Sequence, residues 1–236
     1  LERHGYSVQL VDAEAEGWDA ERTVLHIQLV APDLAVFPVY GQQPSASTQC
    51  LPGAEAVVRR LHGVRTLALG THPSALPVRT LKEGPWTYVA QGEGHRTVLG
   101  LLQALDGMGD IAAVPGLWSR AGERLAAPRV LAENAQILDV ELPDRGFSRF
   151  DFNRYRAHNW HAFGYPSRSP YASLQTSLGC PFRCTFCCIN APFGAAGIRF
   201  WSPKNVLVAF AELAREGVQH VKIPDEMFLL NSRHVE

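Results

Sequence analysis

The sequence has no apolar run long enough to cross a bilayer; the longest, such as Val36 to Val39 and Val206 to Phe210, cover a few residues each. No secretory segment opens the chain, and a reducing cytoplasm is the expected compartment. An excess of charge is also missing. With 22 Lys and Arg against 23 Asp and Glu, and no basic block, nothing points to a nucleic-acid backbone or an anionic membrane as partner. Five cysteines do not make a disulfide framework, because four lie within nine residues and the fifth, Cys50, stands far away, whereas a staple joins distant segments. No G-x-G-x-x-G opens a helix, so Gly92-Glu93-Gly94 alone is weak support for a dinucleotide.

What is present is a chain of 236 residues with 46% apolar content, enough for one large or two ordinary domains with real cores. Both ends read as cut from something longer. Leu1 to Gly5 looks like the last turn of a helix stopped by glycine, and the chain ends just after a strand-like run. In the first half, strands are expected at Tyr6 to Val11, Leu34 to Tyr40, Arg65 to Leu69 and Trp86 to Ala90. Helices are expected at Ala20 to Val30, Ala54 to His62 and Thr97 to Leu105. This alternation predicts an open α/β domain over residues 1–105, with its first strand missing.

Ligands of such sheets sit beyond the carboxyl ends of the strands. Three of these ends carry small or polar residues: Gly41 to Thr48, Gly70-Thr71-His72-Pro73, and Gln91-Gly92-Glu93-Gly94-His95. Glycines there also serve tight turns, but three such loops on one edge favour a ligand.

From 106 to 169 the pattern weakens into a hairpin turning at Ala121-Gly122 and a proline-punctuated linker. Its Arg149 to Arg156 stretch, with Phe150, Phe152 and Tyr155, reads as an amphipathic clamp between domains rather than a surface for stacking bases. His158 and His161 face either an active site or solvent. Over 170–236 a strand at Tyr171 to Leu178 is expected, then a helix capped by Ser202-Pro203 and stopped by Gly217, then a strand at Val218 to Ile223. That is one βαβ unit.

Between the first of these strands and the helix lies LGCPFRCTFCC, residues 178–188. Cys180, Cys184 and Cys187 are spaced C-x3-C-x2-C, close enough to converge from a single curled loop. Thiolates select zinc or iron–sulfur centres. A closed zinc site takes four ligands, commonly as two pairs, and a four-iron cluster usually takes four cysteines. Three would leave one iron open to a substrate. Cys188 is expected to be a buried structural thiol, since neighbours on an extended chain face opposite ways, and Cys50 a small core residue.

The run CPFRCTFC after a strand resembles the signature of the radical S-adenosylmethionine (SAM) enzymes, with Phe186 in its aromatic place. The resemblance implies a [4Fe-4S] cluster on Cys180, Cys184 and Cys187, whose open iron is chelated by the amino and carboxylate groups of SAM, a 5′-deoxyadenosyl radical formed with an electron from the cluster, and an external electron donor. Phe186 would lie near the adenine. Ile223-Pro224-Asp225-Glu226-Met227-Phe228 is similar to the acidic-pair-then-aromatic form in members that carry a cobalamin domain, which makes Asp225 and Glu226 candidates for the SAM amino group, one of them in direct contact.

The first domain then looks like that family's cobalamin-binding domain, and the whole like a Rossmann-like domain followed by a linker and the start of a radical SAM partial TIM barrel. By this resemblance Ser45, Ser47 and Thr48 hydrogen-bond the nucleotide tail of cobalamin and Gly70 keeps side chains out of its path. Glu93 and Gly94 open the last strand to the ligand, and His72 is either a cobalt ligand or a hydrogen-bonded wall residue. The expected activity is methyl transfer to an unactivated carbon of a small-molecule substrate. A non-methylating cyclase or rearrangement enzyme of the same architecture, and a non-catalytic zinc module, are the alternatives.

Overall fold

The structure is a computed structural model that describes residues 1–40, 46–122, 124–142, 146–158 and 164–235. It divides into two compact units. The first comprises Leu1–Gln9, Trp18–Asn134 and Arg183–Ala195, and the second Leu10–Gly17, Ala135–Phe182 and Ala196–Glu236.

In the first unit, helix α1 (Ala20–Val30) starts where the Asp19 carboxylate accepts the Arg22 N–H at 2.8 Å. Strands β1 (Ala35–Val39), β2 (Thr66–Gly70) and β3 (Tyr88–Ala90) follow, with α2 (Ala46–Val58), α3 (Thr71–Ala75) and α4 (Pro77–Glu83) between them. Then come α5 (His95–Leu105) and the hairpin β4 (Leu117–Ala121) and β5 (Arg124–Ala126). The sheet has order β1-β2-β3-β4-β5; the first three strands are parallel and the hairpin adds antiparallel at β3.

Side chains alternate across this sheet, so each strand feeds two cores. Leu67 and Tyr88 join Val98 and Leu101 of α5 on one face, while Ala68 and Val89 join Val58 of α2, Leu81 of α4 and Trp86 on the other. With both faces covered, β2 and β3 are almost wholly buried.

In the second unit a short helix α6 (Leu138–Glu141) precedes β6 (Tyr171–Ser173), β7 (Ser177–Cys180) and β8 (Gly197–Phe200). Helix α7 (Pro203–Arg215), β9 (His220–Lys222) and α8 (Ser232–Val235) complete it. β6 and β9 pair in parallel around α7, while β7 and β8 form an antiparallel ribbon. The Ser202 hydroxyl accepts the Asn205 N–H at 3.2 Å, as the capping pattern predicts. Ala209 and Leu213, one turn apart on α7, pack on Ala172, Leu174 and Phe152. Phe150 and Tyr155 join this core, so the linker aromatics are packing residues.

Several expectations change. Tyr6 to Val11 is not a strand: β1 is the sheet's edge, and among the described residues no strand pairs with this segment. Helix α2 begins at Ala46 and runs through Pro52 and Gly53, which read as breakers in the sequence; side-chain anchors at Ser47 and Thr48 hold its first turn. Tyr171 to Leu178 is two strands in two sheets, because residues 174–176 turn the chain away from β9. The end of the chain forms a 3-10 turn (Phe228–Leu230) and α8 rather than a strand-like run. The opening turn is as expected, with Gly5 left-handed at φ +84° after Glu2–His4.

Candidate cofactor site

β1, β2 and β3 are parallel, so their carboxyl ends share one edge, and hydrogen bonds stitch the loops there together. Ser47 is fully buried; its hydroxyl donates to the Val39 carbonyl at the end of β1 and accepts the His72 N–H at 2.9 Å. With its proton already given to Val39, Ser47 joins two strand ends. Thr48 Oγ1 lies 2.9 Å from His72 Nδ1. Burial first, then the charge of Arg79, pushes the His72 pKa below its usual value of 6.5, against the opposing carboxylates of Glu55 and Glu83. A histidine held neutral keeps a lone pair on one ring nitrogen. Ser74, which the sequence gave no reason to single out, exchanges two hydrogen bonds with the Gly92 backbone, at 3.1 and 3.2 Å.

Gly70 has φ +130°, and a Cβ there would run into the Val39 carbonyl oxygen. Its first requirement is close approach of β1 and β2. Gly94, at φ +88°, starts α5, and the Glu93 side chain is 8% exposed, with its carboxylate 3.7 Å from His95 Nδ1. Ser45 and the rest of the first loop, residues 41–45, lie outside the described residues, as does His161. His158 is exposed.

Cys180 closes β7 and is 9% exposed. Gly179 before it has φ +87°. Cys184 and Cys187 sit on one turn, where the Cys187 N–H donates to the Cys184 carbonyl at 3.1 Å. Both thiols are exposed, none of the five cysteines is in a disulfide, and Phe186 is 91% exposed. The segment continues into a 3-10 turn (Ala191–Phe193) that packs on α3, and Asn134 Nδ2 donates to the Phe193 carbonyl at 2.8 Å. Within the first unit, the chain carrying Cys184 and Cys187 therefore returns to the strand-end edge. Two expectations fail. Cys188 and Cys50 are exposed rather than buried, Cys188 because its loop has no regular structure to cover it and Cys50 because it falls on the outer face of α2.

In the second unit Asp225 follows β9. Its carboxylate accepts the Thr176 N–H at 2.8 Å and the Thr176 and Ser177 hydroxyls at 2.6 Å each, while Glu226 is exposed. His234 Nε2 is 2.8 Å from Thr176 Oγ1. A cleft lined by Asp139, Phe200, Trp201 and Arg233 contains none of the residues expected from the sequence to bind cofactors. Among the described residues no three His, Cys, Asp or Glu side chains stand together as a ligand cage.

No family model matches the chain. It is 24% identical over 242 residues to an uncharacterized methyltransferase of Pyrococcus horikoshii, covering 98% of this chain and 48% of that protein. It is 25% identical over 237 residues to the hopanoid C-3 methylase of Methylococcus capsulatus, covering 99% and 42%. Over 127 residues, 52% of the chain and 21% of the relative, it is 28% identical to the anaerobic magnesium-protoporphyrin IX monomethyl ester cyclase of Rubrivivax gelatinosus. Among solved structures, the radical SAM methyltransferase TsrM of Kitasatospora setae, with cobalamin and a [4Fe-4S] cluster bound, superposes with a TM-score of 0.67 at 19% identity, over 99% of this chain and 44% of that one. The cobalamin-dependent SAM radical enzyme OxsB, with aqua-cobalamin and SAM bound, gives 0.62 at 18%, over 94% and 29%.

The chain has the fold of the cobalamin-dependent radical SAM enzymes. The resemblance first carried by eight residues of the cysteine loop thus extends along the chain, which spans less than half the length of the curated relatives it matches. Within this fold, Ser47, Thr48, Gly70, His72, Glu93 and Gly94 are gathered at the edge of one sheet, while in the second unit Cys180 ends β7 of the β7–β8 ribbon and the Asp225-Glu226 pair follows β9. Sequence reasoning missed Ser74, Thr176, Ser177 and His234. The usable signal was a Thr-Ser pair opening a strand, where buried hydroxyls need partners.

Proposed function

We propose that this chain belongs to a cobalamin-dependent radical SAM methyltransferase that acts on an unactivated carbon of a small molecule. The observation that carries this reading is the C-x3-C-x2-C loop at the end of β7, with its thiols free of disulfides, in a chain whose fold matches such enzymes over nearly its whole length. The donor set fits a [4Fe-4S] cluster with one iron left open: three soft thiolates, an irregular loop able to close on what it binds, and no second cysteine pair to complete a zinc site. When bound, such a cluster supplies the electron that cleaves SAM to a 5′-deoxyadenosyl radical, with cobalamin as the methyl carrier.

The chain's own residues bind and orient. Cys180 would give a ligand from the end of β7, Cys184 and Cys187 would give two more from one turn, and exposed Phe186 would offer a ring to the adenine. At the strand-end edge Thr48, His72 and Glu93 would face the cobalamin, while buried Ser47 ties the end of β1 to the start of α3. An external electron donor completes the partners.

The cyclase relative favours a second reading, radical chemistry without methyl transfer. Incubation of the anaerobically reconstituted protein with methyl-labelled SAM separates them. Label in a carbon-methylated product supports methyl transfer; deoxyadenosine without labelled product supports the cyclase-type reading. A colourless zinc protein contradicts both.

A further inference from the structure

Of the acidic pair after β9, Asp225 has both carboxylate oxygens engaged. Oδ1 takes the Thr176 N–H, and Oδ2 takes the hydroxyls of Thr176 and Ser177. Thr176 is fully buried and Ser177 nearly so. The Thr176 hydroxyl gives its proton to Asp225, so it accepts from His234 Nε2 at 2.8 Å, and that ring packs against Phe200 of β8, tilted at 53° with centroids 4.7 Å apart. The Thr176 carbonyl accepts the Trp201 N–H just past β8, at 3.1 Å. These groups all meet at the start of the β7–β8 ribbon.

That ribbon matters because Cys180 is its far end, three residues beyond Ser177 or about 10 Å along an extended strand. A ribbon of two strands is marginal alone, and β7 has β8 as its one ladder partner among the described residues. Three charge-assisted hydrogen bonds from one carboxylate join it to the end of the β6–β9 pair.

We infer that Asp225 is a positioning residue: it fixes the root of β7 and so the place of Cys180, while exposed Glu226 is left to meet the cationic amino group of the ligand. The inference rests on the cluster reading above. It divides an acidic pair that the sequence treats as equivalent into an anchor and a contact.

The test uses Asp225→Ala, Asp225→Asn, Ser177→Ala and Glu226→Gln in the whole chain, with two readouts. The first is amide exchange of residues 178–180 in protein without iron, with residues 220–222 as internal reference. The second is iron loading and SAM affinity after anaerobic reconstitution. Asp225→Ala should speed exchange in β7 by about tenfold relative to the reference and reduce loading, with a smaller effect from Ser177→Ala, which removes one donor. Asp225→Asn keeps the shape and an acceptor for the Thr176 N–H, and its amide can donate to hydroxyls that rotate. It should restore most of the protection and loading and keep SAM affinity. Glu226→Gln should load normally and weaken SAM binding by about tenfold.

Unchanged β7 exchange in Asp225→Ala would overturn the anchor. So would an Asp225→Asn protein that loads iron normally yet loses SAM affinity, because a ligand contact needs the charge and an anchor needs the shape. If Asp225→Ala unfolds, Asp225→Asn and Ser177→Ala decide. Failure of the wild-type chain to take up iron and sulfide would count against the cluster reading alone, since the exchange comparison needs no cluster.

Discussion

At Gly70 two demands coincide: a backbone at φ +130° and a Val39 carbonyl where a Cβ would go. Gly70→Ala is therefore expected to cost more than about 3 kcal/mol, read as a lower urea midpoint with the slope unchanged. A loss below about 1 kcal/mol would mean that β1 yields easily. Phe186 is the opposite case. Being 91% exposed, it should give up SAM affinity and no stability on Phe186→Ala; equal stability with unchanged affinity would remove its place beside the adenine. At this scale the sequence was legible where a loop follows a strand: the cysteine run was expected after one, and Cys180 closes β7. It was opaque where burial decides. Cys188 was expected inside because neighbours on an extended chain face opposite ways and Cys50 because cysteine is a small apolar residue, but neither argument says which face of a loop or helix is covered.

Among the elements, the stretch at 146–156 carries two 3-10 turns, Phe147–Arg149 and Phe152–Arg154, that its composition did not announce. Its aromatics suggested an amphipathic clamp rather than a stacking surface, and within the second unit Phe152 is buried and Tyr155 is half-buried in the βαβ core. The Tyr155 hydroxyl donates to Asp12 Oδ2 at 2.9 Å. Burial first, then that hydrogen bond and the charges of Asp12 and Glu16, raise its pKa above the ordinary value near 10, with Arg154 opposing. The folded chain thus holds this proton more tightly than the unfolded chain. Its contribution is fully present below pH 10 and is lost as pH rises beyond it. Urea midpoints measured across this range should fall more steeply for the wild type than for Tyr155→Phe; parallel curves would show that Asp12 does not hold the phenol. Helices α1, α5 and α7 and the parallel strands were readable from period and caps. The break at 174–176 was not, because it depends on Asp225, some fifty residues away in sequence.

For the whole molecule, the alternation of strands and helices announced a parallel sheet whose polar loops share one edge, and that architecture is similar in fold to TsrM and OxsB. No helix among the described residues is long and apolar enough to cross a membrane. The central claim is that three thiols, and not four, hold a cluster with one open iron. Iron and acid-labile sulfide per chain after anaerobic reconstitution, measured on the wild type, Cys187→Ala and Cys188→Ala, test it most directly. The account predicts about four of each in the wild type and in Cys188→Ala, and loss of both in Cys187→Ala. Zinc without sulfide, or equal dependence on Cys188, would contradict it.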